Sequence, residues 1–375
     1  MLDVPFFAKL LDVCDGARGG TRGGESCACL PYNAQYQIYK EEIMAHRVLY
    51  YVCDGKTDAA ESVLAGIEGG DQIELMGCAH KPFVCPTAEQ LRGCSGFIGE
   101  FGPVLGDAVD AVASAGVQIV SSMSIGLNHI DVAGLTARGV TVTNCPGYCA
   151  DDVAQHTIAL MLDLMRKVTF CNRDVLGGEW NPVGGYVSHR TQGQTLGLVF
   201  FGNIARSVVP IARALGMNVL VWAPTKSAEE LEEVGCTKAN TLDELLSASD
   251  VVSLHCPLIP ETQGLIGERE LALMKPAAFL VNTARGPVVD EAALLHALDE
   301  YAESGGERGI CAAGLDVLDD ETAPNRALIE HPRCVVTPHT AYCTAEANDT
   351  LRRMTLQAVV DKLVFGREPQ NVVRV

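Results

Sequence analysis

The chain has 375 residues, 48% of them hydrophobic and 20% charged, enough apolar material for two or three buried cores, and this excludes wholesale disorder. Its 28 Lys and Arg against 47 Asp and Glu give a net charge of −19, which argues against phosphate backbones and anionic lipid surfaces as partners. No apolar run of about 18 residues is present, and the start, Met1 to Leu11, carries Asp3 and Lys9 without a basic leader, so neither a transmembrane span nor a signal peptide is expected.

Residues 1–43 include the glycine-rich, aperiodic stretch Gly16 to Gly24 and are expected to form a flexible extension. Met44, just after Lys40-Glu41-Glu42-Ile43, is expected as the physiological start if the source is bacterial. From His46 onward the pattern is regular. Val48–Val52, Ile73–Met76, Phe97-Ile98 and Val117–Val120 read as strands, with helices at Ala59–Ile67, Val104–Ala115 and Val132–Arg138. A helix at Val153–Met165 precedes a second alternating stretch. Its six expected strands are Leu196–Phe201, Asn218–Trp222, Val251–Leu254, Ala278–Asn282, Ala312–Val317 and Cys334–Thr337. Helices are expected between them at Asn203–Leu215, Leu242–Ala248, Glu268–Met274 and Glu291–Leu298, with a last helix at Ala345–Phe365. Strands alternating with helices imply parallel sheets with crossovers, an α/β fold.

The 15 cysteines are odd in number and contain no C-x-x-C pair. They are read as free thiols in a reducing cytoplasm, with no metal site. The strand ending near Phe201 runs into Phe200-Phe201-Gly202-Asn203-Ile204-Ala205, where a dinucleotide fold carries three glycines. Only the middle one, Gly202, is kept. It lets backbone approach a pyrophosphate whose charge rests on the next helix N-terminus, at Asn203 and Ile204. Phe200 replaces the first glycine and is expected to crowd the turn. The acidic residue that holds the ribose hydroxyls about 20 residues on is replaced by Ala223.

Several longer stretches carry a family resemblance. They are Ser124-Ile125-Gly126-Leu127-Asn128-His129-Ile130-Asp131, Asn144-Cys145-Pro146-Gly147-Tyr148, Val153-Ala154-Gln155-His156, Asp250 to Leu258, Val281 to Gly286, Gly314-Leu315-Asp316-Val317 and Thr337-Pro338-His339. In these, over residues 46–366, the chain resembles the D-isomer-specific 2-hydroxyacid dehydrogenases. Pro146–Cys149 and Gly202–Arg206 look most like the branch that includes C-terminal-binding-protein-like sequences.

The resemblance implies a Rossmann-type cofactor domain over residues 150–341. It also implies a flavodoxin-like substrate domain over 46–149 and 342–375, bridging helices near 152–166 and 345–365, and a homodimer. It implies NAD or NADP as cofactor and a 2-hydroxy/2-keto acid as substrate. Arg285 matches the substrate arginine, whose planar fork suits a carboxylate and a carbonyl. His339 matches the acid–base residue and Glu321 its carboxylate partner. Thr322 stands where proline usually follows that glutamate, and Asp319 and Asp320 adjoin it, so the partner could shift by a residue or two. Asp316 matches the contact to the nicotinamide carboxamide and Thr283 a backbone contact on the same side. His255 and Pro257 match the loop over the adenosine. The N–H groups of Ile125 and Gly126 would take the substrate carboxylate, and Phe101 would line the pocket. Ala223 removes discrimination against a 2′-phosphate, and Lys226 offers an ammonium, so NADP is modestly favoured. The alternatives are a non-catalytic nucleotide-sensing or corepressor-like protein on the same fold, and a relative with a special substrate such as formate, phosphite or phosphoglycerate.

Overall fold

The computed structural model describes residues 45–374, so the expectations for residues 1–43 and for Met44 lie outside the described residues. The chain begins with β1 (His46–Val52), α1 (Asp58–Leu64), β2 (Ile73–Ala79), β3 (Gly96–Gly99), α2 (Asp107–Ser114), β4 (Ile119–Ser122), α3 (Val132–Ala137) and β5 (Thr141–Thr143). It continues with α4 (Ala150–Arg166), α5 (Val168–Leu176), β6 (Thr195–Val199), α6 (Asn203–Ala214), β7 (Asn218–Trp222), α7 (Ala228–Glu232), β8 (Thr237–Lys238) and α8 (Leu242–Ala248). The remainder is β9 (Val251–Leu254), α9 (Glu268–Leu273), β10 (Phe279–Asn282), α10 (Glu291–Glu303), β11 (Ala312–Leu315), α11 (Arg326–Glu330), β12 (Cys334–Val336) and α12 (Ala345–Leu363).

The strands form two sheets, parallel throughout. The first has five strands in the order β2-β1-β3-β4-β5, the second seven in the order β12-β11-β10-β9-β6-β7-β8. Central strands of such sheets are covered on both faces, which is why β1, β3, β6, β9 and β10 are largely apolar instead of alternating, and why even Ser121 and Ser122 of β4 are buried. One face of the small sheet packs on Leu91, Val109, Val112 and Leu135. Its other face packs on Leu356, Val359, Val360 and Leu363 of α12. The strand order of the large sheet reverses between β6 and β9, and ligands bind at the strand carboxyl ends beside such a reversal.

Several elements differ from expectation. The second sheet has a seventh strand, β8, two residues long, and the first gains β5, three residues long. Neither is long enough to show a period of two. Val104 leaves the expected helix to bridge Ile130, and α2 starts only after Gly106. Helix α6 runs through Pro210 unbroken. The two long helices pack mainly on different sheets. Helix α4 packs on α6, β10 and β11, whereas α12 packs on α1, β3 and β4. The halves meet at the N-terminal ends of these helices, where Cys149, Val153, Ala341 and Ala347 cluster with Ile125, Tyr148, Ile204 and Tyr342. There Thr344 Oγ1 donates to Asp152 Oδ1 at 2.6 Å. Among the described residues no helix is long and apolar enough to cross a membrane.

Candidate active site

Three loops at strand carboxyl ends converge in the second sheet. β10 ends at the buried Asn282, whose Oδ1 accepts the Ala284 N–H at 3.0 Å and whose Nδ2 donates to the Arg285 carbonyl at 2.9 Å. That side chain closes the turn presenting Arg285. Gly286 follows because a Cβ there would overlap the Leu318 carbonyl, so only glycine lets this loop press on the next one. The next loop, after β11, carries Glu321, and its carboxylate Oε2 lies 2.9 Å from His339 Nδ1. Asp320 is occupied otherwise, accepting from Thr322 N, Thr322 Oγ1 and Ala323 N, so Glu321 is the histidine's carboxylate neighbour. His339 Nε2 has no hydrogen-bond partner among the described residues.

His339 sits at φ +50°, a left-handed conformation that needs outside support. Asp316 supplies it. The Asp316 carbonyl accepts the His339 N–H at 2.8 Å. Its carboxylate accepts from Thr337 Oγ1 at 2.6 Å, Thr340 N at 2.9 Å and Ala341 N at 3.0 Å. The side chain is 1% exposed, and its observed partners are protein groups that fix the histidine loop. His156 adds to the same network through Thr337 Oγ1 at 3.0 Å.

The loop after β4 faces this group. The Ile125 and Gly126 N–H groups donate to no protein acceptor among the described residues. A Cβ on Gly126 would overlap Arg285 Nη2, so the guanidinium rests directly on this backbone. Ser122, Ser124 and His129 brace the loop: Ser122 Oγ lies 2.7 Å from Ser124 Oγ and 3.3 Å from His129 Nε2. Burial, and then the Arg285 charge, lower the His129 pKa to about 4, so this ring is neutral near pH 7. Burial also lowers the Arg285 pKa, while Glu321 pulls it back up.

A cavity of about 570 Å³ joins these groups. Phe101, Ile125, Gly126, Ile204, Thr283, Arg285, Asp316, Glu321 and His339, all expected at the site, line it. Gly202, Asn203, Ala223, Lys226, His255 and Pro257 do not. They lie at the ends of β6, β7 and β9, where a long ligand would extend. The residues there fit a dinucleotide in one respect: the first turn of α6 carries no side-chain cap, and a Cβ on Gly202 would meet nothing within 4 Å. A diphosphate can therefore reach free helix N–H groups. Thr283 Oγ1 pairs with Thr157 Oγ1 at 2.8 Å.

Phe200 does occupy a glycine-like conformation, φ +71°, and its ring lies edge-on to Trp222 at 5.6 Å. Ala223 is 2% exposed and packs in the core. The Lys226 ammonium is paired, 3.1 Å from Glu230 Oε1. His255 Nε2 lies 3.0 Å from Ser253 Oγ, and burial lowers its pKa to about 4. Phe83, His129, Tyr148 and Tyr342 also line the cavity and were not singled out from the sequence. His129 and Tyr148 lie inside the stretches that carry the family resemblance. Tyr342 lies three residues after His339, and that proximity is the one signal that could have found it.

The fold and this cleft define a nicotinamide-dependent oxidoreductase of 2-hydroxy and 2-keto acids. Residues 158–341 match the D-isomer specific 2-hydroxyacid dehydrogenase NAD binding domain, and the chain belongs to that family. It is 35% identical over 263 residues to the glyoxylate reductase of Thermococcus litoralis, covering 68% of this chain and 77% of that one. To the D-3-phosphoglycerate dehydrogenase of Bacillus subtilis it is 37% identical over 231 residues, 62% of this chain but only 42% of the relative. The D-lactate dehydrogenase of Lactobacillus jensenii, solved with NAD+, superposes with a TM-score of 0.70 at 26% identity, covering 88% of this chain and 100% of that one.

Proposed function

We propose that His339 is the acid–base group of a reversible 2-keto acid reduction and that Arg285 holds the substrate. The observation that carries this reading is one cavity lined by both the Arg285 guanidinium and a histidine whose Nδ1 is engaged by Glu321 at 2.9 Å. A nicotinamide held at the loops after β6, β7 and β9 would supply the hydride chemistry. Glu321 orients the imidazole and supports its protonated form, which leaves Nε2 to pass a proton to the carbonyl oxygen. Arg285 and the free Ile125 and Gly126 N–H groups bind the carboxylate. Residues 46–149 with 342–375 would form the substrate domain and 150–341 the cofactor domain. Purified protein reducing 2-keto acids, followed at the nicotinamide absorbance, tests this. No turnover with either nucleotide removes it.

The relatives reported above are named for glyoxylate, phosphoglycerate and D-lactate, not for the C-terminal-binding-protein-like branch, and the branch placement is set aside. The Glu321–His339 pairing supports an enzyme over a pure nucleotide sensor. The free cysteines among the described residues fit a reducing cytoplasm.

On the cofactor, Ala223 leaves no carboxylate directly after β7 to repel a 2′-phosphate, so NADPH is expected to be used comparably to or better than NADH. Glu230 holds the ammonium that would meet the phosphate. Glu230→Gln is therefore expected to raise the NADPH:NADH ratio of kcat/KM severalfold. Side-by-side kinetics check this, and a strong NADH preference in the parent protein refutes it.

The partner is expected to be a second copy. Helix α5 buries none of its residues, and Leu176 and Trp180 are 79% and 85% exposed beside Val183 and Val187. Large apolar side chains left this exposed support a subunit interface here. Trp180→Glu is expected to convert a dimer to a monomer by light scattering. A parent protein that is monomeric at micromolar concentration removes the assignment.

A further inference from the structure

The cavity holding Arg285 and His339 is walled by aromatic rings. The Phe101 centroid lies 5.9 Å from that of His339 and 6.3 Å from that of Tyr342. Phe83 stands edge-on to Phe101 at 6.0 Å, and Tyr148 edge-on to Tyr342 at 6.2 Å. Phe83 and Phe101 both adopt positive φ, +63° and +50°. Bulky residues rarely accept that conformation, and where they do it tends to be at a functional site. The two strained segments are tied together, the Phe83 N–H donating to the Phe101 carbonyl at 2.9 Å. The strain does not serve to bury Phe83, which stays 41% exposed. It serves to hold a ring at the mouth of the cleft.

Charge limits the substrate from the other side. Arg285 is the one Lys or Arg among the residues lining the cavity, and the substrate carboxylate takes it. The other charged lining residues are the carboxylates of Asp316, Asp319, Asp320 and Glu321. A second anionic group on the substrate would find repulsion and no counter-cation. Glyoxylate, with only hydrogen beyond its carbonyl carbon, would leave the rings without a contact.

We propose that this site is built for 2-keto acids bearing an aromatic group on C3, the arylpyruvates, in preference to glyoxylate and to phosphorylated keto acids. The proposal rests on the roles given above to His339 and Arg285. Hydride adds to C2 and the proton to the carbonyl oxygen as in any 2-keto acid. The aryl ring takes no part in the chemistry and packs against Phe83, Phe101 and Tyr342, where edge-to-face contact adds to burial.

The test is kcat/KM for phenylpyruvate, pyruvate, glyoxylate and 3-phosphohydroxypyruvate with saturating NADH or NADPH. Phenylpyruvate is expected to exceed glyoxylate by about 10- to 100-fold, the scale that apolar pocket contacts provide, with 3-phosphohydroxypyruvate lowest. Phe83→Ala and Phe101→Ala should each lower the phenylpyruvate:glyoxylate ratio by about fivefold or more. The parent panel decides the matter even if one variant fails to fold. Glyoxylate or 3-phosphohydroxypyruvate reduced as well as phenylpyruvate overturns the proposal and leaves the general reading intact. Both variants folding with an unchanged ratio also overturns it. No turnover of any keto acid overturns the general reading with it.

Discussion

His339→Ala lowers 2-keto acid turnover by about 10²–10⁴-fold, the usual contribution of a positioned acid–base group. The loss should fall on kcat more than on KM, because Arg285 and the Ile125 and Gly126 N–H groups still bind the carboxylate. Glu321→Gln should lose less, since the amide can still accept from Nδ1 at the observed 2.9 Å but carries no charge to support an imidazolium. Arg285→Lys should behave differently again. One ammonium cannot reproduce the planar fork, so KM should rise and kcat fall together. Stopped-flow and steady-state kinetics on the three variants separate these patterns. Parental turnover by the His339→Ala protein would remove His339 from the mechanism.

Gly126→Ala is expected to fold normally and yet lose about 10²-fold in kcat/KM, the cost of an ångström-scale misplacement of a positioning group. The new methyl overlaps Arg285 Nη2, the far end of a flexible side chain. Moving that end costs the fold little. It moves the one arginine lining the cavity, and the two free N–H groups lose their alignment with it. The melting temperature of the variant should stay within a few degrees of the parent, because the overlap is relieved by moving a side chain and not backbone. An unchanged KM and kcat in a folded Gly126→Ala protein would show that the guanidinium does not work from this position. Gly286→Ala makes the contrast. There the overlap is with the Leu318 backbone, which cannot swing aside, and stability itself should fall.

The parts of the fold legible in the sequence were those whose signal is local. Apolar runs such as Val48–Val52 and Val251–Leu254 are strands because both faces of a central parallel strand are buried. Helices with caps at Thr241 and Asp290 begin where their side chains can accept the first free N–H groups. The edge strands β5 and β8 carry no such signal, being too short for periodicity; β8 pairs with β7 alone, and the outer edge of β5 is met by an isolated bridge from Thr143 to Val372. Helix α7 had a legible start in Ser227 and Glu230, which form a capping box, but its five residues show no apolar stripe.

Arg285 and His339 were legible through the stretches Val281–Gly286 and Thr337–His339 that carry the family resemblance, whereas Glu321, followed by Thr322 and preceded by Asp319 and Asp320, had no such motif around it. That Glu321 and not Asp319 or Asp320 reaches His339 was decided only by the tertiary structure. So were the use of Asp316 as the clamp on the histidine loop, the pairing of Lys226 with Glu230 and the burial of Ala223. The aromatic wall is the clearest case. Phe83, Phe101, Tyr148 and Tyr342 lie in separate aperiodic loops, and no spacing along the chain relates them. They meet because two sheets place their loops on one cleft, and contact across a cleft is set by the packing of whole layers. The sequence by itself determined the α/β architecture and the chemistry-bearing loops. The tertiary structure alone decided which side chains share the cavity, because that depends on distances between segments whose local patterns are independent.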